Sequence, residues 1–179
     1  SSKILNAMNR KHDILEYHKI IKDLKEAKPN IKFSSDFIIG YPGETEDDFN
    51  QTLNLIEKVE FINSYSFVYS SRPGTPASNL NNVDSNVAKR RLVKLQAMLE
   101  KNNFNYKEGF LHKSIEVLFE NKLDNQDKYF GRDKFLNSVI VQSEKDLTGH
   151  ILDIEVNAFN HNNLFGKILS NKKNLLQLN

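Results

Sequence analysis

The stretch SDFIIGYPGETEDDF, residues 35–49, decides how the first half of the chain folds. The apolar run that ends at Ile39 predicts a strand, and the glycine- and proline-rich turn that begins at Gly40 predicts a sharp change of direction. Thr45, followed three residues later by Asp48, is typical of a capped helix start. A strand, a turn and a helix in this order form the repeating unit of parallel β/α folds.

The same turn raises the question of a ligand, because glycine-rich turns before helices often bind phosphate. Here Glu44 precedes the helix, and Glu46, Asp47 and Asp48 lie in its first turn. These acids complement the helix dipole and repel an anion, and the GK[ST] sequence of a P-loop is missing. The pattern argues against phosphate and leaves two alternatives, a pocket for a neutral or cationic ligand and a rigid turn without a ligand.

The spacing of apolar residues around this stretch predicts alternating helices and strands. The predicted order is helix 12–28, strand 31–39, a helix from Thr45, strand 64–70 and a helix over about 84–107. The apolar positions that predict the first two helices are Ile14, Tyr17, Ile21 and Leu24, then Phe49, Leu53 and Ile56. Since a whole β/α barrel needs roughly 250 residues, we expect residues 1–110 to be the last portion of such a barrel, with more strands before Ser1 in the complete protein.

Side chains alternate across the strand at residues 31–39. One face carries bulky apolar residues, which suit the helix layer, so Ser34, Asp36 and Ile38 are expected to face the barrel lumen. An ionised carboxylate there needs a partner. Asp36 is therefore a candidate for binding a ligand, and a structural salt bridge or a solvated strand end is the alternative.

Beyond residue 110 the sequence changes to short β-rich runs separated by turn residues. The five runs are residues 114–120, 128–132, 138–143, 149–159 and 163–169. Five short strands in about 70 residues predict a small all-β barrel of OB-like size. We therefore predict an α/β domain at residues 1–110 and a β-barrel domain at residues 111–179.

Composition narrows the chemistry that this chain can supply. It contains no cysteine, which excludes disulfides and cysteine-held metal or iron–sulfur sites, and its five histidines show no ligand spacing. A net charge of +2 is too small to indicate nucleic-acid binding by itself. No apolar run is long enough for a membrane helix and no secretory signal is visible, so we expect a cytoplasmic protein with no membrane partner. We also expect a monomer.

Two long motifs identify a family resemblance. SSDFIIGYPGETEDDF at residues 34–49 and SFVYSSRPGTPAS at residues 66–78 closely resemble the radical S-adenosylmethionine methylthiotransferases, most of all the type that makes 2-methylthio-adenosine in tRNA. The opening SSKILNAMNRKH is similar to the segment before this strand in the family. The β-rich tail resembles the family's C-terminal TRAM domain, so the resemblance covers nearly the whole chain.

The resemblance implies a partial β/α barrel with two [4Fe–4S] clusters. One cluster cleaves S-adenosylmethionine to a 5′-deoxyadenosyl radical and the other supplies sulfur, with a reductant and a sulfur donor as further partners. The substrate that the resemblance implies is a modified adenosine beside the anticodon, at tRNA position 37. Because the cysteines that hold both clusters lie upstream of this chain in the family, the fragment alone is expected to be inactive.

The resemblance also implies residues for the cofactor. Asp36 and Arg10 match positions that approach the ribose hydroxyls and the carboxylate of S-adenosylmethionine, roles that suit a carboxylate acceptor and a guanidinium fork. Ile38, Gly40 and Pro42 are expected to form the wall beside the adenosine. A surface position near a helix end is the alternative for Arg10.

Arg72 and Thr75 lie in the loop after the second strand, at the end where β/α barrels place active sites. They are candidates for contacting the substrate or the sulfur-bearing site, and a rigid surface loop is the alternative. In the sister enzymes that modify a ribosomal-protein aspartate, the resemblance implies an acidic residue in place of Arg72-Pro73. The loop therefore favours an RNA substrate.

The predicted RNA contact in the tail is KYFGRDK, where basic residues surround Tyr129 and Phe130. Cations beside aromatic rings suit an unstacked RNA loop. The family usually has threonine where this chain has Asp133, which weakens that position. The candidates are Lys128, Phe130, Arg132 and Lys134, and a barrel strand with solvated charges is the alternative.

Two other interpretations stay open. The basic run Lys89, Arg90, Arg91 and Lys94 is either a second RNA contact or, as we favour, a solvated helix face. The chain itself is either part of a methylthiotransferase acting on tRNA or a ribosomal protein, or a non-catalytic RNA-binding module.

Overall fold

The computed structural model of the chain describes residues 1–124 and 127–169. The chain divides into two compact units, Ser1–Asn103 and Phe104–Asn179. The predicted domain boundary at residue 110 and the family identity of each domain stay predictions. In the part of the chain that the structure describes, no helix has the length and apolar character needed to cross a bilayer.

The first unit alternates helices and strands as predicted. Its elements are α1 (Ser2–Ala7), α2 (Ile14–Ala27), β1 (Asp36–Ile39), α3 (Glu46–Val59), β2 (Tyr65–Val68), a short 3-10 helix (Pro76–Asn79) and most of α4 (Ser85–Glu108). β1 and β2 pair in parallel, with Asp36 beside Tyr65 and Ile38 beside Phe67. Both strands are shorter than the predicted 31–39 and 64–70, and α1 has no counterpart among the predicted elements.

The core of this unit lies between the sheet and the helices. Phe37 and Ile39 of β1 are buried against α3, whose predicted apolar stripe is confirmed, and against Leu95 of α4. The predicted stripe of α2 is only partly right, because Ile21 is buried whereas Leu24 is 41% exposed. The α3 helix begins as predicted, since the Thr45 and Asp48 side chains cap each other's backbone N–H groups.

The second unit is a closed five-stranded barrel, as predicted. Its strands are β3 (Ser114–Lys122), β4 (Lys128–Asp133), β5 (Ser138–Gln142), β6 (Ile151–Phe159) and β7 (Asn163–Ile168). They close in the order β3-β4-β5-β7-β6, and β6 returns to pair with β3. All pairs are antiparallel except β5 with β7, an arrangement consistent with a small OB-like barrel.

Alternate residues of these strands fill the barrel. The buried side chains include Val117, Phe119, Tyr129, Val139, Val141, Ile154, Val156 and Leu164. Gly131 takes an inward position where neighbouring backbone approaches closely, since a Cβ there would lie 2.5 Å from the Leu118 carbonyl oxygen. Gly166 makes a similar close approach to the carbonyl of Glu155. These positions accept no larger residue without movement of a strand.

A buried polar cluster fixes the turn after β4. The Asp133 carboxylate accepts hydrogen bonds from the backbone N–H groups of Phe135 and Asn137, both at 2.9 Å. The Asn137 amide donates to Asp133 and to the Tyr106 hydroxyl, each at 2.8 Å. Burial, opposed by the bond from Asn137, raises the pKa of Tyr106 to about 12. The turn that carries Lys134 is therefore anchored from inside the barrel.

Candidate functional site

The carboxyl ends of β1 and β2 lie side by side, which brings two predicted loops together. The Tyr69 N–H donates to the Ile39 carbonyl oxygen at 2.8 Å. The rings of Tyr41 and Tyr69 meet edge to face with centroids 5.1 Å apart. The turn after β1 and the loop after β2 therefore share the edge of the parallel sheet where ligands bind in α/β folds.

The turn at residues 40–44, called the Gly40 turn below, packs tightly against α4. Gly40 has a φ of +75°, a conformation that favours glycine, and a Cβ on it would lie 2.9 Å from the Ala88 Cβ. Pro42 is buried in the same turn. The close approach that the structure shows at Gly40 is thus to a helix, and its predicted role beside an adenosine stays a prediction.

The Glu44 side chain holds the Gly40 turn from within. One carboxylate oxygen of Glu44 accepts from the Gly40 N–H at 2.8 Å. The other accepts from Arg91 Nη1 of α4, also at 2.8 Å. The second guanidinium arm of Arg91 contacts Glu46 at 3.0 Å. Because the Arg91 side chain is only 8% exposed, the interpretation of Arg91 as part of a solvated face is wrong. Its neighbours Lys89, Arg90 and Lys94 are exposed.

Asp36 and Ile38 share an exposed sheet face with two aromatic residues. The register pairs Asp36 with Tyr65 and Ile38 with Phe67, so all four side chains lie on the side opposite the buried Phe37. Tyr65 is 68% exposed and Phe67 is 54% exposed. Among the described residues no hydrogen-bond partner contacts the Asp36 carboxylate. We call these four residues the Asp36 face; sequence reasoning found its β1 half and missed the aromatic pair.

The segment that carries Arg10 is tied to the Gly40 turn. The Tyr41 hydroxyl donates to the Ala7 carbonyl oxygen at 2.8 Å, at the end of α1. Arg10 follows three residues later, is exposed, and donates its backbone N–H to Leu5. The structure therefore brings the Arg10 segment to the predicted site, while the contact of its guanidinium with a cofactor stays a prediction.

A second tie joins α1 to the helix after the turn. Lys3 Nζ contacts the Gly43 carbonyl oxygen at 2.9 Å and the Asp48 carboxylate at 2.8 Å. Burial alone would raise the pKa of Asp48, but hydrogen bonds from Lys3, Ser1 and Thr45 outweigh it and hold the pKa well below the usual range of a carboxyl group. Asp48 is therefore a charged anchor of the site region rather than a proton donor.

Arg72 and Thr75 form a compact turn in the loop after β2. The Thr75 hydroxyl donates to the Arg72 carbonyl oxygen at 2.8 Å. Both residues are exposed, and the Arg72 guanidinium has no ion pair within residues 1–124 and 127–169. The structure brings these two predicted residues together and leaves the guanidinium accessible to an anionic group.

The structure adds one residue to this region that sequence reasoning missed. The Tyr69 hydroxyl is buried and has no hydrogen-bond partner in the described part of the chain. It lies where the two loops meet, because its ring contacts Tyr41. No signal in the sequence marked Tyr69, because it lies within the predicted strand at residues 64–70.

The predicted RNA contact occupies the outer face of β4. Lys128, Phe130 and Arg132 alternate with the inward residues, and the exposed Lys134 follows in the next turn. The Arg132 guanidinium lies over the Phe130 ring at 5.2 Å and contacts Glu120 at 3.1 Å. Asp133 is 5% exposed and lies inside the barrel, so this acid does not share the face with Arg132.

This outer face extends further than the sequence predicted. Phe130 pairs with Ile140 on β5, which in turn pairs with Phe165 on β7. The three half-buried side chains form an apolar row. Sequence reasoning identified Phe130 but missed the row, because the pairing of β5 with β7 depends on the closed barrel and not on neighbouring positions in the sequence. Within the described residues, no group of His, Cys, Asp and Glu could hold a metal ion.

Comparison with known proteins places this geometry in a family context. No family model matches the chain. The tRNA-2-methylthio-N(6)-dimethylallyladenosine synthase of Pelagibacter ubique is 47% identical over 173 residues, which cover 97% of this chain and 39% of the relative. The synthases of the same name from Wolbachia pipientis of Culex pipiens and from Rickettsia akari are each 42% identical, over 93% and 94% of this chain and 38% of each relative.

The match therefore covers nearly all of this chain but only part of each relative. The chain spans less than two fifths of the length of the curated relatives that it matches. We conclude that it is a homologue of the tRNA-2-methylthio-N(6)-dimethylallyladenosine synthases and corresponds to the C-terminal part of these proteins.

Proposed function

We propose that this chain is the C-terminal part of a tRNA methylthiotransferase that adds a 2-methylthio group to a modified adenosine beside the anticodon. The observation that carries the proposal is the 47% identity over nearly the whole chain to a relative named for that product. All the relatives compared above carry the same tRNA name, which favours tRNA over a ribosomal protein as the substrate.

The first unit is proposed to be the last portion of a radical S-adenosylmethionine β/α barrel. Its two parallel strands, its helices on one side and its exposed Asp36 face support this assignment. S-adenosylmethionine, when bound, supplies the radical and the methyl group. The chain has no cysteine, so ligands for the two [4Fe–4S] clusters would come from outside it, and this chain alone is expected to be inactive.

The predicted cofactor residues of the first unit fit S-adenosylmethionine in chemistry. Asp36 offers an exposed carboxylate to the two ribose hydroxyls, and Arg10 offers a fork to the methionine carboxylate. Ile38, Gly40 and Pro42 would line the adenosine side. Of the acids around the Gly40 turn, Glu44 and Glu46 pair with Arg91, and Asp48 pairs with Lys3. The charge of these acids is therefore compensated within the protein and does not by itself select a cationic ligand.

Arg72 and Thr75 are proposed to contact the RNA substrate or the sulfur-bearing site. The exposed guanidinium of Arg72 lies in the loop beside the Gly40 turn, and a guanidinium pairs with phosphate in a two-point contact. The hydrogen bond between Thr75 and the Arg72 backbone would fix the loop conformation. A sulfur donor and a reductant are further partners in this proposal, and the enzyme would act as a cytoplasmic monomer.

The barrel is proposed to be a TRAM domain that binds the tRNA anticodon loop. Lys128, Phe130, Arg132 and Lys134 would provide charge and a stacking surface, extended by Ile140 and Phe165. Unstacked bases bind aromatic and guanidinium planes, with each stacked base contributing about 1–3 kcal/mol. The inward position of Asp133 supports this face. Asp133 is the only acid in the run KYFGRDK, and its carboxylate does not lie beside the basic side chains on the outer face.

The test of the catalytic part is a chimera in which this chain replaces the matching segment of the Pelagibacter ubique synthase. The reconstituted chimera should form 2-methylthio-adenosine in tRNA. Asp36→Ala should weaken S-adenosylmethionine binding, whereas Asp47→Ala, an exposed acid of α3, should leave it unchanged. Equal affinity in the Asp36→Ala variant and its parent would remove the ribose role.

The test of the barrel uses tRNA binding at two salt concentrations. Arg132→Ala should weaken binding and flatten its salt dependence, because one phosphate contact or base contact is lost. Lys145→Ala, an exposed lysine elsewhere on the barrel, is the control. If Arg132→Ala and Lys145→Ala bind alike at both concentrations, the outer face of β4 is not the RNA contact.

A further inference from the structure

A cluster of charged side chains holds the Gly40 turn against α4. Gly40 is buried, and its backbone N–H donates to the Glu44 carboxylate. The Glu44 N–H closes the turn onto the Tyr41 carbonyl oxygen at 2.9 Å. Glu44 therefore satisfies the turn with its backbone and its side chain, and its side chain is only 5% exposed.

A carboxylate buried to this extent needs a positive partner. Arg91 supplies it through two contacts, with its Nη1 atom 2.8 Å from the Glu44 carboxylate and 3.2 Å from the Glu44 carbonyl oxygen. Its Nε and Nη2 atoms both contact Glu46, at 3.2 and 3.0 Å. One guanidinium thus binds both acids that flank the start of α3.

The same helix face makes the second contact with the turn. Ala88 precedes Arg91 by three residues on α4 and approaches Gly40 so closely that only glycine fits there. Beneath the guanidinium lies the Phe49 ring, 5.5 Å from its central carbon. Steric contact at Ala88 and charge at Arg91 therefore fix the position of the turn relative to α4 at two points.

We infer that Arg91 and Glu44 are positioning residues that fix the Gly40 turn, and through it the end of β1, next to the Asp36 face. The role of that face rests on the proposed function. A buried ion pair is a weak source of net stability compared with apolar residues of the same size. Its specific effect is geometric, because a planar fork and a carboxylate bond in few arrangements.

The first experiment measures hydrogen exchange in this chain without any cofactor. The key variant is the double substitution Glu44→Gln with Arg91→Met, which removes both charges and so avoids an unpaired buried carboxylate. We expect the Gly40 amide to exchange at least about tenfold faster relative to the Leu53 amide of α3. The matched control is Lys101→Met, an exposed cation on the same helix, which should leave the ratio unchanged.

The second experiment uses the chimera and separates KM from kcat. If the pair positions the turn, the double variant should raise the KM for S-adenosylmethionine by about tenfold or more at an unchanged melting temperature. Arg91→Lys, which keeps the charge but loses the fork, should lie between the double variant and the parent. A merely structural pair would lower the melting temperature and leave KM as in the parent.

The two experiments fail in different ways. An unchanged exchange ratio of Gly40 to Leu53 in the double variant overturns the inference, whatever the chimera does. A faster Gly40 amide with an unchanged KM also overturns it, because the turn would then move without effect on the cofactor. An inactive parent chimera refutes the proposed function instead, and in that case the exchange ratio alone decides whether Arg91 and Glu44 fix the turn.

Discussion

Different interactions define the structure within each of the two units. In the barrel every strand pairs with two neighbours, so backbone hydrogen bonds define the structure. In the first unit, among the described residues, β1 and β2 pair only with each other. The loops at the end of that sheet are fixed by side chains, notably the Arg91–Glu44 and Lys3–Asp48 pairs. The barrel is therefore expected to be sensitive to volume, and the first unit to charge.

The largest expected effect breaks the barrel by adding one methyl group. Gly131→Ala would place a Cβ 2.5 Å from the Leu118 carbonyl oxygen and 2.7 Å from a Val117 methyl group. We expect it to destabilise the barrel by about 3 kcal/mol, because backbone on a closed barrel cannot move aside. Urea titration followed by the NMR signals of barrel amides measures this loss, while signals of the first unit should keep their midpoint.

The control for that substitution is Gly149→Ala. Gly149 has a φ of +80°, and a Cβ added to it would meet no other atom within 4 Å, so only backbone strain of about 1 kcal/mol is expected. If both variants lose the same stability, overpacking at Gly131 is not the cause.

A smaller effect should appear in the first unit on acidification. The folded-state pKa of Asp48 lies below its ordinary value, so its contribution is fully present above the unfolded-state pKa of about 4 and is lost as the pH falls below it. Charge-assisted hydrogen bonds of this kind contribute about 2 kcal/mol. Urea midpoints of first-unit signals should fall between pH 6 and pH 3.

The variant that isolates this effect is Asp48→Asn. It should be less stable than the parent at pH 6 and should lose less on acidification, since it has no carboxylate to protonate. An Asp48→Asn protein with the same pH dependence as the parent would assign the acid sensitivity to other groups. The barrel amides serve as the internal reference in the same titration.

In the barrel, the predicted loss of stability occurs at alkaline pH and is smaller than the loss expected from Asp48. The folded-state pKa of Tyr106 is raised to about 12, so its contribution is fully present below the unfolded-state pKa of about 10 and is lost as the pH rises through the folded-state value. Barrel signals should lose stability between pH 9 and pH 11 by roughly 1 kcal/mol. Tyr106→Phe should abolish that part of the pH dependence; an unchanged alkaline slope would contradict it.

The same contrast explains how much of the fold could be predicted from the sequence. All five barrel strands were predicted near their observed bounds, because turn residues and alternation are local signals. The capped start of α3 was predicted for the same reason, since Thr45 and Asp48 are three residues apart. The closed strand order could not be predicted in this way, because β5 pairs directly with β7 although β6 lies between them in the sequence.

The site shows the same division between local and distant information. Asp36 and Ile38 could be placed on one face from strand alternation alone. Tyr65 and Phe67 joined that face only through the parallel register, which depends on a helical crossover between the strands. Arg91 was misassigned because its partner Glu44 lies 47 residues away. Charge in a helix pattern indicates a solvated face unless tertiary contacts override it.

The smallest predicted effect compares the two tyrosines whose rings touch at the site. The Tyr41 hydroxyl donates to the Ala7 carbonyl oxygen, so Tyr41→Phe should cost about 1 kcal/mol. The Tyr69 hydroxyl is buried without a partner in the described residues, so Tyr69→Phe should be neutral or stabilise the first unit by up to about 1 kcal/mol. Urea midpoints of first-unit signals measure both variants side by side. An equal loss of stability in the two variants would show that the Tyr69 hydroxyl does make a hydrogen bond in solution. Side-chain hydrogen bonds would then fix the loop after β2 as well as the turn after β1.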